Sequence, residues 1–109
     1  MSRAEARADP APVFAALGDR TRLSLLLRLS DGRARSITTL SMATSLTRQA
    51  VTKHLRVLEE VGLVEARRVG RESLFAGHPE PLAEARSCLE TISAQWDENL
   101  TRLRALVED

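Results

Sequence analysis

The chain has few of the residue types from which metal, redox and base-stacking sites are built. It contains one cysteine, Cys88, no tyrosine, two phenylalanines and one tryptophan. A single cysteine excludes a disulfide within the chain, whereas a bond between two copies stays open. A zinc or sensor-metal site needs roughly three or four N, S or O ligands, and His54, His78 and Cys88 are the only soft candidates. We therefore predict no metal and no cofactor.

Long apolar runs, a signal peptide and catalytic motifs are lacking as well. The cluster "LLL" at 25–27 is far shorter than the roughly 20 residues that cross a bilayer. The opening "MSRAEARADP" alternates charges with alanine where a signal peptide needs an apolar segment. The sequence has no phosphate-binding glycine loop, nucleophile elbow or metal-hydrolase motif. These features predict a cytoplasmic protein that has no membrane partner and is not an enzyme.

The charge distribution is more informative than the net charge of +1. The 109 residues predict a single domain, residues 1–109, and the composition is that of a soluble globular protein. From Arg20 to Arg71 there are eleven basic and four acidic residues, whereas from Glu80 to Asp109 there are three basic and seven acidic. The cationic middle suits a polyanion, although a solvated surface of mixed charge is the plain alternative.

The first part of the chain is predicted to be helical. Residues 1–9 are predicted to be frayed or partly helical, and prolines at 10 and 12 favour a helix start before "VFAAL" (13–17). Asp19 is placed to cap a second helix that extends towards Gly32. The segment "GRARS" that follows is predicted to be a turn.

A helix-turn-helix is predicted at about 37–60. Ser36 precedes a short helix at 37–44, residues 44–47 form a tight break, and Thr47 is placed to cap a second helix at 48–60. At 100° per residue, this second helix has one apolar and one polar side. The apolar side consists of Val51, Leu55 and Leu58, and the polar side of Gln49, Thr52, Lys53 and Arg56.

A β-hairpin and a long helix complete the predicted fold. Residues 63–77 carry strand-type residues around Gly70, which suits a turn with positive φ. Residues 81–107 are predicted to form a helix with apolar spacings of three and four, which is typical of a helix packed along another helix. That stripe consists of Leu82, Ala85, Leu89, Ile92, Trp96, Asn99, Leu103 and Leu106. We expect a mainly α fold with a small β-hairpin, in which a second chain covers most of the stripe.

The order of these elements is that of a winged helix-turn-helix, which predicts binding to double-stranded DNA. An α-helix fits the major groove, where glutamine can pair with adenine and arginine or lysine with guanine. The hairpin arginines Arg67, Arg68 and Arg71 suit phosphates or the narrow minor groove. His54 is expected to pack at the edge of the apolar stripe or to contact a phosphate.

The chain resembles the ArsR/SmtB-type winged-helix repressors of bacteria. The resemblance covers most of the sequence and is carried above all by "ALGDRTRLSLLLRL" and "QAVTKHLRVLEEVGLV". It implies a homodimer that binds a near-palindromic operator and blocks transcription of its own or neighbouring genes. Metal-sensing members have paired cysteines in the first helix of the helix-turn-helix or Asp/His clusters in the last helix, and "ITTLSMATSL" and "LAEARSCLETISAQWDENL" have neither. The signal that releases this chain from DNA is therefore not expected to be a metal.

The resemblance also implies individual site residues. DNA contacts fall on Thr47, Arg48, Gln49, Thr52 and Lys53, with the wing supplied by Arg67 to Glu72. The dimer is built from the first and last helices, so its interface is expected at Phe14, Leu17, Leu82, Ala85, Leu89, Ile92, Trp96 and Leu103.

Partners other than duplex DNA would require a different surface. A winged-helix module that binds protein would have an apolar or acidic outward face at 48–56, and this face is polar and basic. Single-stranded DNA and RNA are usually bound by aromatic side chains, of which there are three, each expected on an apolar face. The alternative function is that of a winged-helix module that binds protein without sequence-specific DNA binding.

Overall fold

The computed structural model describes residues 9–108, and the prediction for the first residues of the chain lies outside that range. The predicted fold class is confirmed: the chain is mainly helical with one small antiparallel sheet and a long last helix. Its elements in order are α1 Ala11–Leu17, α2 Arg20–Arg28, β1 Arg35–Ser36, α3 Ile37–Thr44, α4 Arg48–Glu60, β2 Val64–Val69, β3 Glu72–Gly77 and α5 Glu80–Glu108.

Three helices begin at a residue whose side chain caps them, and the sequence predicts that role for two of these residues, Asp19 and Thr47. The side chain of Asp19 accepts a hydrogen bond from the backbone N–H of Arg22 at 2.9 Å. Ser36 caps α3 and Thr47 caps α4 in the same way, each at 3.1 Å. A cap of this kind satisfies one of the N–H groups that the first helical turn leaves unpaired. The starts of α2, α3 and α4 are therefore fixed locally by sequence.

The tight break between α3 and α4 is built around Ser45, which has a left-handed backbone with φ of 61°. Two hydroxyl groups of α3 form hydrogen bonds here: Thr44 Oγ1 donates to the carbonyl of Leu40, within the last turn of α3, at 2.6 Å, and Ser41 donates across the break to the carbonyl of Leu46. The bond from Ser41 ties α3 to the residue that precedes the cap of α4.

The hydrophobic core lies where α2, α3, α4 and the start of the sheet meet. The apolar stripe predicted for α4 is completely buried there, since Val51, Leu55 and Leu58 have no exposed area. The other fully buried large side chains are Leu25, Leu29, Leu40, Leu63 and Val64. Burial of one complete side of α4 leaves its opposite side facing outwards.

The sheet has three strands in the order β1-β3-β2. The sequence predicts the two strands of the hairpin, β2 and β3, but not β1. The predicted turn at "GRARS" is partly wrong, because Arg35 pairs with Phe75 and Ser36 with Leu74. The hairpin itself is present, with Val69 opposite Glu72 and with Gly70 at φ 62° in the turn.

Helix α5 divides into a packed start and an exposed remainder. Ala85 is only 4% exposed in the core of its own chain, and Leu82 packs against that core. From Leu89 onwards the apolar side chains are exposed. Within the described residues, no helix is long and apolar enough to span a membrane.

Candidate nucleic-acid interface

The exposed side of α4 gathers five of the polar side chains that the sequence singles out. They line one open, shallow depression, and they are Arg48, Gln49, Thr52, Lys53 and Arg56. None of its three cations, Arg48, Lys53 and Arg56, forms an ion pair with another residue of the 9–108 range. The depression thus presents positive charge and one side-chain amide, which can accept and donate hydrogen bonds.

The hydroxyl groups of Thr47, at the start of α4, and of Thr52, in the depression, already form hydrogen bonds within the chain. Thr47 Oγ1 accepts the N–H of Ala50, and Thr52 Oγ1 donates to the carbonyl of Arg48 at 2.8 Å. A hydroxyl has one donor and two acceptor positions, so Thr47 can still donate and Thr52 can still accept. Thr47 is therefore suited to a phosphate oxygen and Thr52 to a donor on a base.

The wing carries a second group of cations, Arg67, Arg68 and Arg71, and the first of these already forms an ion pair. Arg67 donates from Nε and Nη2 to Glu65 Oε1, at 3.0 and 2.7 Å. These hydrogen bonds lower the pKa of the Glu65 carboxyl. Arg68 and Arg71 are exposed, and no carboxylate of the described chain forms an ion pair with them. Arg67 would have to leave Glu65 to contact DNA, whereas the other two are available.

His54 lies differently from its neighbours on α4. Its side chain is 24% exposed, and its Nδ1 is 3.8 Å from Oδ2 of Asp19 at the start of α2. That nitrogen is buried and has no hydrogen-bond partner. The structure therefore turns this histidine towards α2, although the sequence places it beside the DNA contacts.

Two arginines near the helix-turn-helix had no role assigned from the sequence. Arg20 and Arg28 line a groove together with Thr44, Ser45 and Leu46 of the α3–α4 turn. Their eight-residue separation places them on a similar side of α2. That spacing was visible in the sequence, but only the fold shows that this side of α2 borders the turn.

The predicted dimer residues fall into two groups. Phe14, Leu17 and Leu82 are half-buried against the chain's own core, and Ala85 lies within it, so that Ala85 has almost no surface to offer a partner. The members that remain exposed form a stripe on the later turns of α5: Leu89, Ile92, Trp96 and Leu103, together with Leu100 and Leu106. Cys88, beside this stripe, is a half-buried free thiol.

The part of the chain that the structure describes contains no group of three or more His, Cys, Asp or Glu side chains that could hold a metal ion. Four carboxylates, those of Asp9, Glu60, Glu80 and Glu84, line a pocket together with His78 at the start of α5 without forming such a group.

Comparison with known proteins identifies relatives of this chain by sequence. Residues 17–67 match the protein-family profile described as "Helix-turn-helix domain". A curated relative, the "Uncharacterized HTH-type transcriptional regulator YuzN" of Bacillus subtilis (strain 168), is 40% identical over 76 residues, which are 64% of this chain and 83% of the relative.

Solved structures extend the similarity over nearly the whole chain. An ArsR-like transcriptional regulator from Rhodococcus sp. RHA1 is 36% identical, with 96% of each chain covered and a TM-score of 0.74. The homodimeric winged helix-turn-helix DNA-binding domain of Mb0332 from Mycobacterium bovis, a possible ArsR-family regulator, is 28% identical, with 87% of this chain and 88% of that chain covered and a TM-score of 0.65.

Proposed function

Because the chain belongs to the ArsR-like family of winged helix-turn-helix transcriptional regulators, we propose that it is a homodimeric repressor that binds a near-palindromic DNA operator. Proteins of this family are DNA-binding regulators and not enzymes. Four properties go beyond membership of the family. The protein is proposed to bind DNA in a sequence-specific way, to assemble from two chains, to repress its own or neighbouring genes, and to act in the cytoplasm.

The observation that supports specific binding is the outward side of α4. An α-helix enters the major groove, which is about 12 Å wide, and presents its first turns to the base edges. Gln49 lies in that position, between Arg48 and Thr52, on a helix whose opposite side is fully buried. Pairing of the Gln49 amide with an adenine gives sequence preference, and Lys53 pairs with guanine or with a phosphate.

The wing and the start of α4 supply contacts that do not depend on sequence. Arg68 and Arg71 extend from the hairpin as exposed cations. Neutralising phosphates with such side chains releases counterions, so that affinity falls as salt rises. These arginines are proposed to fix the orientation of α4 on the duplex.

Two copies of the chain are proposed to meet along α5. Its exposed stripe is apolar over several turns, from Leu89 to Leu106, and an uncovered stripe of that length is costly in water. The structural relative from M. bovis is described as homodimeric. A two-fold dimer presents two α4 helices to half-sites about 34–36 Å apart, and this geometry requires an operator with matching symmetry.

Repression is proposed because it requires only that the dimer occupy DNA which the polymerase needs. The signal that ends it is proposed to be something other than a metal, since residues 9–108 hold no suitable ligand group.

The test is binding of the purified protein to duplex DNA from upstream of its own gene, compared with a shuffled duplex over a salt series. We expect a complex of two chains per site that prefers the upstream duplex and weakens steeply with salt. Gln49→Ala should cost about 1–3 kcal/mol on the specific duplex and little on the shuffled one. Arg68→Ala should weaken both duplexes alike and reduce the salt slope by about one.

Two outcomes would contradict the proposal. Equal losses on the two duplexes for Gln49→Ala would remove its base-contacting role. Absence of binding to either duplex at low salt would favour the alternative, a winged-helix module that binds protein without sequence-specific DNA recognition. The polar and basic outward side of α4 argues against that alternative.

A further inference from the structure

Helix α2 carries three arginines, of which one holds the fold together. Arg22 donates from Nε to the carbonyl of Ala16 at 2.7 Å and so ties α2 to α1. Arg20 and Arg28 are exposed, and neither forms an ion pair with another residue of the 9–108 range. The positive charges of these two arginines are therefore not compensated by direct contact within the described chain.

The carboxylates that flank α2 in sequence are both bound to other groups. Asp19 caps α2 by accepting the backbone N–H of Arg22 at 2.9 Å. Asp31, just after α2, pairs with Arg35 at 2.6 Å. Because each carboxylate already has its own partner, the two exposed arginines of α2 stay available to an anion from outside the chain.

Arg20 and Arg28 line one groove. They are separated by about 80° around the helix and by about 12 Å along it. The opposite wall of the groove is the α3–α4 turn, at 43–46, and no carboxylate is among the side chains of the described chain that line the groove. The hydroxyl groups of Thr21, Ser24 and Ser45 also line it, and a hydroxyl can donate a hydrogen bond. Cations and hydroxyl donors are the groups that bind phosphate oxygens.

The groove adjoins the start of the proposed base-contacting helix. Its wall ends at Leu46, Thr47 then caps α4, and Arg48 is already part of the α4 depression. Leu46 and Arg48 are two residues apart, so their Cα atoms are separated by at most about 7 Å. A molecule that lies against the first turn of α4 is therefore beside the groove.

Duplex DNA brings phosphates to this place when α4 occupies the major groove. The major groove is about 12 Å wide and has a phosphate backbone along each edge. A helix with its side chains is about 10–12 Å across, so it fills that width. A surface next to the first turn of the helix then meets one of the two backbones. In helix-turn-helix proteins the helix before the recognition helix crosses the backbone, and here α2 lies beside the turn that joins these two helices.

We propose that Arg20 and Arg28 bind phosphates of the strand that borders the major groove at the start of α4, so that α2 enlarges the DNA contact beyond the helix-turn-helix and the wing. The separation of about 12 Å along α2 exceeds the rise of about 3.4 Å between successive phosphates of one strand, which allows the two arginines to contact different phosphates. The inference rests on the proposed function, because it takes duplex DNA as the ligand and places α4 in the major groove.

Two variants and a matched control test the contact. Arg20→Gln and Arg28→Gln each remove one charge from an exposed side chain outside the core, so both variants should fold. Arg86→Gln removes the same charge from α5, where the side chain is 82% exposed, pairs with Glu90 at 3.0 Å and lines neither the groove nor the α4 depression. Thermal unfolding verifies that the three variants are folded.

Binding is measured on the upstream duplex and on its shuffled counterpart over a salt series. Arg20→Gln and Arg28→Gln should each weaken both duplexes about 2- to 30-fold, since an exposed charge contact is modest and a two-chain complex contains it twice. The slope of log affinity against log salt should fall by about one for each phosphate contact removed. Wild-type affinity in both groove variants, or an equal loss in Arg86→Gln, would overturn the proposal.

A scan of the duplex with single neutral methylphosphonates tests whether the contact is direct. Each contacted phosphate should cost the wild type affinity when it is neutralised. In Arg20→Gln and in Arg28→Gln, at least one of these positions should lose its effect, because the arginine that paired with it is gone. An unchanged set of sensitive positions in both variants would refute direct contact even if their overall affinity falls.

The two duplexes also separate failure of this inference from failure of the proposed function. Phosphate contacts carry no sequence information, so the groove variants should lose affinity on both duplexes even if the wild type shows no preference for the upstream one. A wild type that prefers the upstream duplex, together with groove variants that bind as it does, would keep the proposed function and overturn the inference. Absence of binding to either duplex at low salt would contradict both.

Discussion

Replacing Trp96 with alanine tests the proposed dimer at its largest exposed apolar side chain. A tryptophan buries about 150–250 Å² in a well-packed interface, and Trp96 is 62% exposed in the single chain. At about 25 cal/mol per Å² the exposed part is worth about 2–4 kcal/mol in each chain, and a two-fold interface contains it twice. Even half of the sum, about 2–4 kcal/mol, raises the Kd of the dimer by about 30- to 1,000-fold.

The assay is sedimentation velocity over a wide range of protein concentration. Gln95→Ala, which changes an exposed polar neighbour on the same helix, should leave the dimer Kd unchanged. Circular dichroism checks that α5 keeps its helix in each variant. The reasoning would be refuted if wild type were monomeric throughout, or if Trp96→Ala had the same Kd as wild type.

Two further predictions concern stability. Leu55→Ala removes a fully buried side chain of α4 and should lower the free energy of unfolding by about 2–5 kcal/mol in guanidinium denaturation. The control Val69→Ala changes a wing residue that is 59% exposed, and it should change the free energy of unfolding by less than about 0.5 kcal/mol. Similar losses of stability for the two variants would contradict the observed core. The hydrogen bonds from Arg35 hold the pKa of Asp31 far below its usual value, so the stabilisation is present above about pH 4 and is lost as pH falls. Asp31→Asn should therefore unfold with a midpoint that depends less on pH below about pH 4 than that of wild type, and an unchanged dependence would show that the pair contributes nothing.

The elements that the sequence predicts well are those whose signal is local. The sequence predicts helix α4 at residues 48–60, and the helix is found at Arg48–Glu60, because its apolar spacing and its cap at Thr47 lie within one short segment. The hairpin was predicted for the same reason, since Gly70 and the flanking strand residues are adjacent in sequence.

Strand β1 could not be predicted in this way. It has two residues, too few for any alternation of apolar and polar side chains, and its partner Phe75 is forty residues further along the chain. The pairing is decided by the fold, which brings the end of the loop after α2 beside β3. A two-residue strand of this kind is indistinguishable from a turn until its partner is placed.

The candidate site shows the same division between local pattern and fold. The polar side of α4 follows from helical periodicity alone, whereas the direction of His54 depends on where the start of α2 lies. The pairing of Arg67 with Glu65 had a local signal, since residues two apart share one side of a strand. The assignments of individual residues to DNA and to the dimer stay predictions that the variants above test.

The short strand β1 also has a consequence for how such proteins can diverge. Ser36 caps α3 and also pairs with Leu74 of the wing, while Arg35 bonds the carbonyl of Arg28 at 2.7 Å and the carboxylate of Asp31. Two adjacent residues thus join the end of α2, the start of α3 and the wing. A wing transplanted from a relative would have to fit this dipeptide as well as its own hairpin, so the wing and the helix-turn-helix are exchangeable only as one unit.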